Sequence, residues 1–280
     1  MTVREALSWA CGELARGGVE EAAREARRLL ALAVGEGPAA WSPSATLSRY
    51  FLGRLRRLVE ARKRGMPFAL LAGWTGFLDF ELKVWPGVFI PRPETEELAE
   101  LACGLLRELP PRPRVLDLGT GTGALACALA RARSDAQVVA VDCDPRALAC
   151  ARWNVRNLGL DERIRLQRSH WFSSLEGEFQ LIVSNPPYVA REGLARLPRE
   201  VREFEPRRAL DGGPQGLEAA KSILAQAPRF LSSGGWLLLE IAPGQAEALV
   251  TFAKGGVGLV ETRVEKDMAG KERFFLGRCK

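Results

Sequence analysis

The sequence is poor in histidine, and its cysteines follow no metal-binding pattern. One histidine, His170, occurs in 280 residues, and the six cysteines include no Cys-x-x-Cys pair. A metal site built from these side chains is therefore not expected. We expect buried, reduced thiols instead. The cysteines are Cys11, Cys103, Cys127, Cys143, Cys150 and Cys279.

Long apolar runs are also missing. No stretch approaches the roughly 18 apolar residues that a membrane-spanning helix needs. The N-terminal segment MTVREALSWACGELARGG mixes charged and apolar residues from the start, which is typical of neither a signal peptide nor a transit peptide. With 47% hydrophobic and 26% charged residues, the composition is that of an ordinary globular protein. The sequence thus predicts a soluble, cytoplasmic protein.

Positive charge is in excess and unevenly distributed. The net charge is +6, and residues 1–92 carry 14 Lys and Arg against 9 Asp and Glu. The excess concentrates in the segment SRYFLGRLRRLVEARKRG, where the only acidic residue is Glu60. This segment is either a solvated helix face or a surface that docks onto a nucleic acid or onto a protein that works on RNA. Its basic residues are Arg49, Arg54, Arg56, Arg57, Arg62, Lys63 and Arg64.

Apolar spacing divides the chain into three parts. Residues 1–72 repeat apolar side chains at helical intervals, which predicts a small helical bundle interrupted at Gly17-Gly18 and at GEGPAAWSPS. Residues 73–92 alternate polar and apolar side chains and predict a β-hairpin linker. From residue 93 onward, a helix beginning at Pro93 leads into alternating strands and helices. Such alternation predicts an α/β fold with a mostly parallel sheet, helices on both faces and ligands at the C-terminal strand ends.

A glycine-rich turn follows the first strand of this α/β region. The segment LDLGTGTGALA has the spacing D-x-G-x-G-x-G, in which an acid precedes three glycines and a helix follows. Glycines allow sharp turns and close approach to a ligand, and a helix N-terminus offers free amides. The spacing differs from the dinucleotide fingerprint G-x-G-x-x-G and resembles motif I of S-adenosylmethionine-dependent methyltransferases. The residues concerned are Asp117, Gly119, Thr120, Gly121, Thr122 and Gly123.

Two further positions suit an adenosine cofactor. Asp142 ends the second strand, where a carboxylate can accept from both ribose hydroxyls. Asp144 is the alternative, although Pro145 after it favours a helix start. Trp171 follows the third strand and could pack against the base, unless it is simply a core tryptophan.

The tetrapeptide Asn185-Pro186-Pro187-Tyr188 follows a strand-forming run, FQLIVS. It could be a simple proline turn, but it also fits methylation of a planar nitrogen. Such a nitrogen has a delocalised lone pair, and two acceptors that hold its N–H groups turn that pair toward the electrophile. The Asn185 side-chain oxygen and a backbone carbonyl, that of Pro186, can be these acceptors. The prolines stiffen the loop and Tyr188 supplies an aromatic wall.

These motifs together resemble one family, the release-factor glutamine methyltransferases (PrmC or HemK). The likeness covers nearly the whole chain and rests on PGVFIPRPETE, VLDLGTGTGALA, IVSNPPYV and FEPRRALDGGPQGL in this order. It implies N5-methylation of the glutamine in the Gly-Gly-Gln motif of class-1 peptide chain release factors, with S-adenosylmethionine as cofactor. It also implies a class I methyltransferase domain with a seven-stranded, Rossmann-like sheet at residues 93–280, and a five-helix, substrate-docking domain at residues 1–72.

The resemblance also assigns site residues. Asp117, the glycine loop, Asp142, Trp171 and Asn185 would bind the cofactor, and Asn185 to Tyr188 would hold the substrate amide. Arg92 and Glu94 would lie near the pocket mouth. His170 departs from the family, which usually has an aspartate before Trp-Phe, so the resemblance carries no adenine contact over to His170. No metal, membrane or stable nucleic-acid partner is implied, and we expect a monomer.

Three other functions share parts of this pattern. An adenine-N6 nucleic-acid methyltransferase uses the same Asn-Pro-Pro-Tyr logic, but it usually needs a target-recognition region that is missing here. A glutamine methyltransferase of a ribosomal protein is disfavoured by PRPETE. An inactive adenosine-binding protein is disfavoured by the intact Asn-Pro-Pro-Tyr.

Overall fold

The structure is a computed structural model that describes residues 1–35 and 42–280. The chain divides into two units. The smaller comprises Met1–Gly73 with Pro198–Phe204, and the larger comprises Trp74–Leu197 with Glu205–Lys280. Most of the predicted break GEGPAAWSPS falls on residues 36–41, outside the described residues. Throughout the described ranges, every helix lacks the combination of length and apolarity that crossing a bilayer requires.

The smaller unit is helical, as its apolar spacing predicts. Thr2 begins the first helix with a capping box, in which the Thr2 hydroxyl accepts from the Glu5 N–H and the Glu5 carboxylate accepts from the Thr2 N–H. Within the described part of residues 1–73 there are four α-helices, where the family resemblance implies five, and a short helix at Arg199–Phe204 joins the unit from much later in the chain. The four are α1 (Val3–Arg16), α2 (Ala22–Val34), α3 (Arg49–Lys63) and α4 (Phe68–Ala72).

The basic residues in and just after α3 fall into two groups, those in ion pairs and those that are exposed. Arg62 binds Glu25 at 2.7 Å and Glu200 of the short helix at 2.8 Å. These pairs hold the unit together, because both carboxylates belong to it. In contrast, the exposed side chains of Arg49, Arg57 and Arg64 pair with no acidic side chain in residues 1–35 and 42–280. The basic residues therefore divide into those that form ion pairs within the helical unit and those that are exposed without an acidic partner among the described residues.

The predicted hairpin is present at residues 74–83. Strand β1 (Trp74–Phe77) pairs antiparallel with β2 (Phe80–Lys83), and Leu78 in the turn has a φ of 51°. The Asn154 amide fastens β2, since Nδ2 donates to the Lys83 carbonyl at 3.0 Å and Oδ1 accepts from the Lys83 N–H at 2.7 Å. Helix α5 (Pro93–Glu108) then begins with Pro93 in its first turn.

A sheet of seven strands forms the centre of the larger unit. The strands are β3 (Arg114–Leu118), β4 (Gln137–Asp142), β5 (Ile164–Arg168), β6 (Phe179–Ser184), β7 (Leu231–Glu240), β8 (Leu259–Lys266) and β9 (Glu272–Cys279). Their order in the sheet is β5-β4-β3-β6-β7-β9-β8. Strand β9 is antiparallel to its neighbours β7 and β8, and all other pairs are parallel. The predicted fold class, a seven-stranded and mostly parallel α/β sheet, is confirmed.

Apolar clusters cover both faces of this sheet. Neighbouring strand residues such as Val115 and Leu116 belong to different clusters, because successive side chains point to opposite faces. The C-terminal ends of β3, β4, β6 and β7 share one edge, where the candidate site lies. The covering helices are α5, α6 (Ala124–Ala132), α7 (Pro145–Asn157), α9 (Glu218–Gln226) and α10 (Ala246–Lys254), and the short helix Arg199–Phe204 is α8.

The structure differs from the sequence-based elements in the second half of the chain. The segment GLEAAKSILAQAPRFL (216–231), whose sequence predicts one helix, is helical only as far as Gln226 and continues as a 3₁₀ turn at Ala227–Arg229. Pro228 accounts for this ending, since its ring nitrogen cannot donate a helical hydrogen bond. Helix α10 is an element that the sequence analysis missed.

The cysteines are free thiols, but they are not uniformly buried as expected. Cys103, Cys127 and Cys150 are buried, and burial raises the pKa of Cys127 and of Cys150 to about 12. Cys143 is exposed, so the expectation is wrong for this residue. The reason is its position in the loop between β4 and α7 rather than in a strand or helix.

Candidate functional site

The glycine-rich turn lies between β3 and α6. Gly119, Gly121 and Gly123 have φ values of 72°, 56° and 85°, a region that side chains with a Cβ rarely adopt. Gly123 also packs closely on α7, where an added Cβ would lie 3.3 Å from that of Ala151. The Thr122 carbonyl accepts from Asn154 of α7 at 2.8 Å. The glycines thus permit a turn that runs tightly against its neighbours.

Asp117 lies fully buried beneath this turn. Its Oδ2 accepts from the Thr120 hydroxyl at 2.6 Å and from the Ala126 N–H at 3.2 Å. Its Oδ1 is buried and accepts from no group among the described residues. Burial raises the pKa of Asp117 to about 7, helped by repulsion from Asp142. A buried acceptor without a donor is costly, so this oxygen is suited to a ligand that brings one.

Asp142 and Asp144 take different positions. Asp142 fastens the glycine turn, since Oδ2 accepts from the Gly121 N–H at 3.0 Å and Oδ1 from the Asp144 N–H at 2.8 Å. Each oxygen retains a lone pair for a further donor, and burial raises the pKa of this carboxyl. Asp144 begins α7, where it accepts from the Arg146 N–H at 2.9 Å, as the sequence favours. Of the two, Asp142 is the one at the turn.

Trp171 lies beside the same turn. Its Cζ3 is 3.7 Å from where a Cβ on Gly119 would be, and its φ is 50°. The indole is half-buried and also packs on the core of the sheet. Core packing and contact with a ligand are therefore compatible for this side chain. His170 is exposed, with its ring centroid 5.8 Å from that of Trp171.

The Asn-Pro-Pro-Tyr loop begins level with the glycine turn. In the β3–β6 pair, Leu118 is in register with Ser184, whose hydroxyl donates to the Leu118 carbonyl at 2.7 Å. Asn185 thus follows β6 at the height where Gly119 follows β3. Throughout the described residues, no donor is bonded to Asn185 Oδ1 or to the Pro186 carbonyl oxygen. The two acceptors that the sequence analysis names remain available.

Two residues that the sequence analysis missed complete this side of the site. Asn185 Nδ2 donates to the Thr95 hydroxyl at 2.9 Å, and that hydroxyl donates to Glu240 Oε2 at 2.8 Å. The Tyr188 hydroxyl donates to Glu240 Oε1 at 3.0 Å. Burial raises the pKa of Glu240 to about 7 and raises that of Tyr188 as well. A signal for Glu240 does exist, since it is the one charged residue in the apolar run GGWLLLEI.

A glycine segment supports the loop from behind. An added Cβ on Gly212 would lie 2.6 Å from the Pro187 carbonyl oxygen, and one on Gly216 would lie 2.3 Å from that of Tyr188. Gln245 Nε2 donates to the carbonyls of Tyr188 and Gly216 at 3.1 and 3.0 Å. The segment DGGPQG therefore has a physical purpose, because only glycine leaves room for the backbone of the loop.

PRPETE lies at the start of α5. Arg92 precedes the first turn, forms an ion pair with Glu205 and covers the Phe89 ring at 5.0 Å. Glu94 is in the first turn, and its charge raises the pKa of Glu240. Over the described ranges, no group of three or more His, Cys, Asp or Glu side chains could hold a metal ion.

Comparisons with known proteins agree with these motifs. Residues 5–73 match the model of the PrmC N-terminal domain, and residues 83–200 match that of the methyltransferase small domain. The release factor glutamine methyltransferase of Geobacter sulfurreducens is 38% identical, over 99% of this chain and 96% of its own length. That of Cereibacter sphaeroides is also 38% identical, over 99% of each chain.

A solved structure shows the same fold at lower identity. The 16S rRNA N2 G1207 methyltransferase of T. thermophilus, in complex with AdoMet and guanosine, aligns with a TM-score of 0.54 at 22% identity. The alignment covers 74% of this chain and 50% of the other. At this identity, the likeness concerns the architecture of the sheet and its helices.

Proposed function

This chain belongs to the release factor glutamine methyltransferase family, and from that premise we propose that it methylates N5 of a glutamine side chain in class-1 peptide chain release factors. The glutamine is that of the Gly-Gly-Gln motif, and S-adenosylmethionine is the methyl donor. One observation carries the proposal. Asn185 Oδ1 and the Pro186 carbonyl are two acceptors without partners among the described residues. They follow the end of β6, at the same height in the sheet as the glycine turn that follows β3, and that turn suits a nucleoside cofactor.

The residues present fit this cofactor. Asp117 Oδ1 is a buried acceptor that requires a donor, and Asp142 has lone pairs to spare for ribose hydroxyls. The backbone turns closely at Gly119 and Gly121, next to the indole of Trp171. When bound, S-adenosylmethionine would supply a methyl group on a positively charged sulfur, an electrophile that needs no metal ion. The cofactor-binding set is then Asp117, Gly119, Thr120, Gly121, Thr122, Gly123, Asp142, Trp171 and Asn185.

The loop after β6 would orient the substrate. A primary amide has two N–H groups, which Asn185 Oδ1 and the Pro186 carbonyl can accept, so that the nitrogen lone pair turns toward the cofactor. Pro186 and Pro187 keep this loop rigid. Because its pKa is raised, Tyr188 stays protonated and acts as an aromatic wall rather than as a base. No base is required, since a methylated amide nitrogen is acidic and releases its proton afterwards.

The helical unit would dock the release factor. Arg49, Arg57 and Arg64 of its basic face are exposed, and exposed cations favour a partner with an acidic surface. Salt screens such contacts. The KM for the release factor should therefore rise with ionic strength while kcat stays constant. A KM that does not respond to salt would count against this docking surface.

A transfer assay tests the proposed activity. The protein is incubated with radiolabelled S-adenosylmethionine and a purified class-1 release factor, either wild type or with Gln→Ala in its Gly-Gly-Gln motif. Only the wild-type release factor should be labelled. Equal labelling of both, or of neither, would overturn the proposal.

The loop itself is tested by Asn185→Ala. We expect kcat to fall about 100-fold or more, since an orienting acceptor at the reacting group is lost. The Kd for S-adenosylmethionine should change less than about threefold, as the rest of the cofactor site is intact. Asn157→Ala, at an exposed position at the end of α7, is the matched control. A variant at Asn185 with kcat within about threefold of wild type would contradict the two-acceptor account.

A further inference from the structure

A chain of hydrogen bonds lies behind the substrate-facing side of Asn185. It joins three parts of the larger unit, namely the first turn of α5, the loop after β6 and the last residue of β7. Asn185 Nδ2 donates to Thr95 Oγ1, which donates to Glu240 Oε2. Tyr188 donates to the other oxygen, Glu240 Oε1. The whole chain therefore ends on one carboxylate, which is fully buried.

The chemistry of the donors fixes the direction of this chain. An ionised carboxylate only accepts, and a hydroxyl has a single proton to donate. Because the proton of Thr95 is donated to Glu240, Thr95 Oγ1 can offer only a lone pair to Asn185. The Asn185 amide must then point its Nδ2 toward Thr95 and its Oδ1 the opposite way. Without this direction, the two ends of the amide would be nearly equivalent in shape.

We propose that Glu240, acting through Thr95, is a positioning residue that selects which end of the Asn185 amide faces the substrate. This rests on the proposed function, in which Oδ1 must accept an N–H of the substrate glutamine. If the amide rotated by half a turn, Nδ2 would face another N–H donor, and the substrate would lose an acceptor. Through its second oxygen, Glu240 also fixes the ring of Tyr188. One buried carboxylate thereby orders both polar groups of the loop.

The surroundings of Glu240 make this control sensitive to pH. Burial raises its pKa to about 7, and Arg273 of β9 and the hydroxyls of Thr95 and Tyr188 oppose this while Glu94 of α5 adds to it. Once protonated, Glu240 carries a proton of its own and can donate to Thr95. The hydroxyl of Thr95 is then free to donate to Asn185 instead, and the amide loses its fixed orientation. Turnover should accordingly fall as the pH drops below about 7.

Kinetics on a release factor test the chain first. Thr95→Val removes the hydroxyl, and Glu240→Gln keeps the shape but adds a donor. Each should lower kcat about tenfold to 100-fold, a loss typical of one misplaced catalytic hydrogen bond. The KM and the Kd for S-adenosylmethionine should move less than about threefold, because the acceptor is misoriented rather than removed. Thr95→Ser keeps the hydroxyl and should restore kcat.

Matched controls are available on the exposed face of α10. Thr251→Val and Glu247→Gln make the same chemical changes there, and thermal unfolding confirms that each variant is folded. In wild type, kcat should rise between pH 6 and pH 8, and in Glu240→Gln this rise should disappear. A folded Thr95→Val variant with the wild-type kcat, or a Glu240→Gln variant with the wild-type pH profile, would overturn the proposal.

A readout without any substrate separates this proposal from the proposed function. The side-chain NH₂ signals of Asn185 in a ¹⁵N–¹H spectrum can be identified by their loss in Asn185→Ala. They should shift with pH around about 7 in wild type, and Glu240→Gln should abolish that shift. If the shift is present but no release factor is methylated, the proposed function fails and the positioning chain stands. If the signals are indifferent to pH and to Thr95→Val, the positioning chain fails whatever the substrate.

Discussion

Asp117 of β3 and Glu240 of β7 are both fully buried carboxylates, and burial raises the pKa of each to about 7. Their hydrogen bonds differ. Both oxygens of Glu240 accept from side-chain hydroxyls of the protein. Asp117 accepts twice on Oδ2, whereas its buried Oδ1 has no partner within the described ranges. The described residues therefore supply a hydrogen-bond donor to both oxygens of Glu240 but to only one oxygen of Asp117.

The difference indicates two uses of a buried acid. A carboxylate whose two oxygens both accept hydrogen bonds fixes the orientation of its donors, which here are the hydroxyls of Thr95 and Tyr188. An incomplete one is destabilising on its own, since an unpartnered buried acceptor costs about 1–3 kcal/mol. It becomes favourable only when a ligand supplies the missing donor. Glu240 accordingly belongs to the side that we propose holds the substrate amide, and Asp117 to the side that we propose holds the cofactor.

The sharpest test of this contrast is Asp117→Asn. The substitution preserves shape but removes the negative charge, so S-adenosylmethionine should bind about tenfold to 100-fold more weakly, the range for a hydrogen bond to a charged group. In wild type the affinity should also decline as the pH falls below about 7, where Asp117 becomes protonated. The variant should lack this pH dependence. Isothermal titration calorimetry measures both, with Asp161→Asn at an exposed position as the control.

The free energy of unfolding, measured without a ligand, tests the burial of Asp117 independently. The pKa of Asp117 is raised in the folded protein from 3.8 to about 7, so the unfolded chain binds fewer protons between these values. Wild-type stability should therefore fall as the pH rises through this window. Relative to wild type, Asp117→Asn should gain little at pH 4 and at most about 4 kcal/mol at pH 8. A variant that is less stable than wild type at pH 8, with unchanged cofactor affinity, would show that Oδ1 is no ligand site.

A second prediction concerns only the amide side. Gly216→Ala would bring a Cβ to 2.3 Å from the Tyr188 carbonyl oxygen and should displace the loop. We expect kcat to fall at least about tenfold, since a shift near 1 Å at a reacting group has effects of this size. The Kd for S-adenosylmethionine should stay the same. Gly159→Ala is the matched control, because Gly159 also has a positive φ, of 66°, but no atom within 4 Å of the added Cβ.

Melting temperatures separate backbone strain from steric crowding in the variants Gly216→Ala and Gly159→Ala. Both substitutions force alanine into the left-handed region, which costs about 1–2 kcal/mol. Only Gly216→Ala adds the close contact, so it should lower the melting temperature more. Equal melting temperatures and equal kcat for the two variants would mean that the DGGPQG segment does not support the loop.

The arrangement of the turn and strand ends on the proposed cofactor side could be predicted from the sequence, because each of these parts is a contiguous segment. The glycine turn and Asp142 each end a recognisable strand, and parallel strands bring their C-terminal ends to one edge. The Asn-Pro-Pro-Tyr loop is visible for the same reason. The contrast between Asp117 and Glu240 is not visible, since it depends on which oxygen finds a donor in three dimensions.

The support of the amide side is assembled from distant segments. Thr95 lies 90 residues from Asn185 in the chain, and Glu240 lies 52 residues from Tyr188. Thr95 is typical of the first turn of any helix, and the glycines of DGGPQG are typical of any turn. The inclusion of Pro198–Phe204 in the helical unit is equally invisible, because the contacts concerned, such as that of Glu200 with Arg62, join residues 138 positions apart. Such long-range contacts leave no local pattern.

The smallest effects should distinguish Trp171 from His170 on the cofactor side. Trp171 lies against the glycine turn, so Trp171→Ala should weaken S-adenosylmethionine binding about tenfold, as expected for the loss of one stacked base. His170 is exposed, with its ring centroid 5.8 Å from that of Trp171, so His170→Ala should change the Kd for S-adenosylmethionine less than about threefold. Trp153→Ala, at a tryptophan that is 44% exposed on α7, is the control.

His170→Asp should change the affinity for S-adenosylmethionine in the opposite direction. An aspartate has two oxygens that can accept from an adenine amino group, whereas neutral histidine has one ring nitrogen. This variant should bind S-adenosylmethionine slightly more tightly than wild type, while His170→Ala should not. If His170→Ala weakened binding as strongly as Trp171→Ala, the imidazole would be a binding group in its own right. On the proposed cofactor side, the imidazole would then bind the adenine base, in addition to the ligand donor that we expect at Asp117 Oδ1.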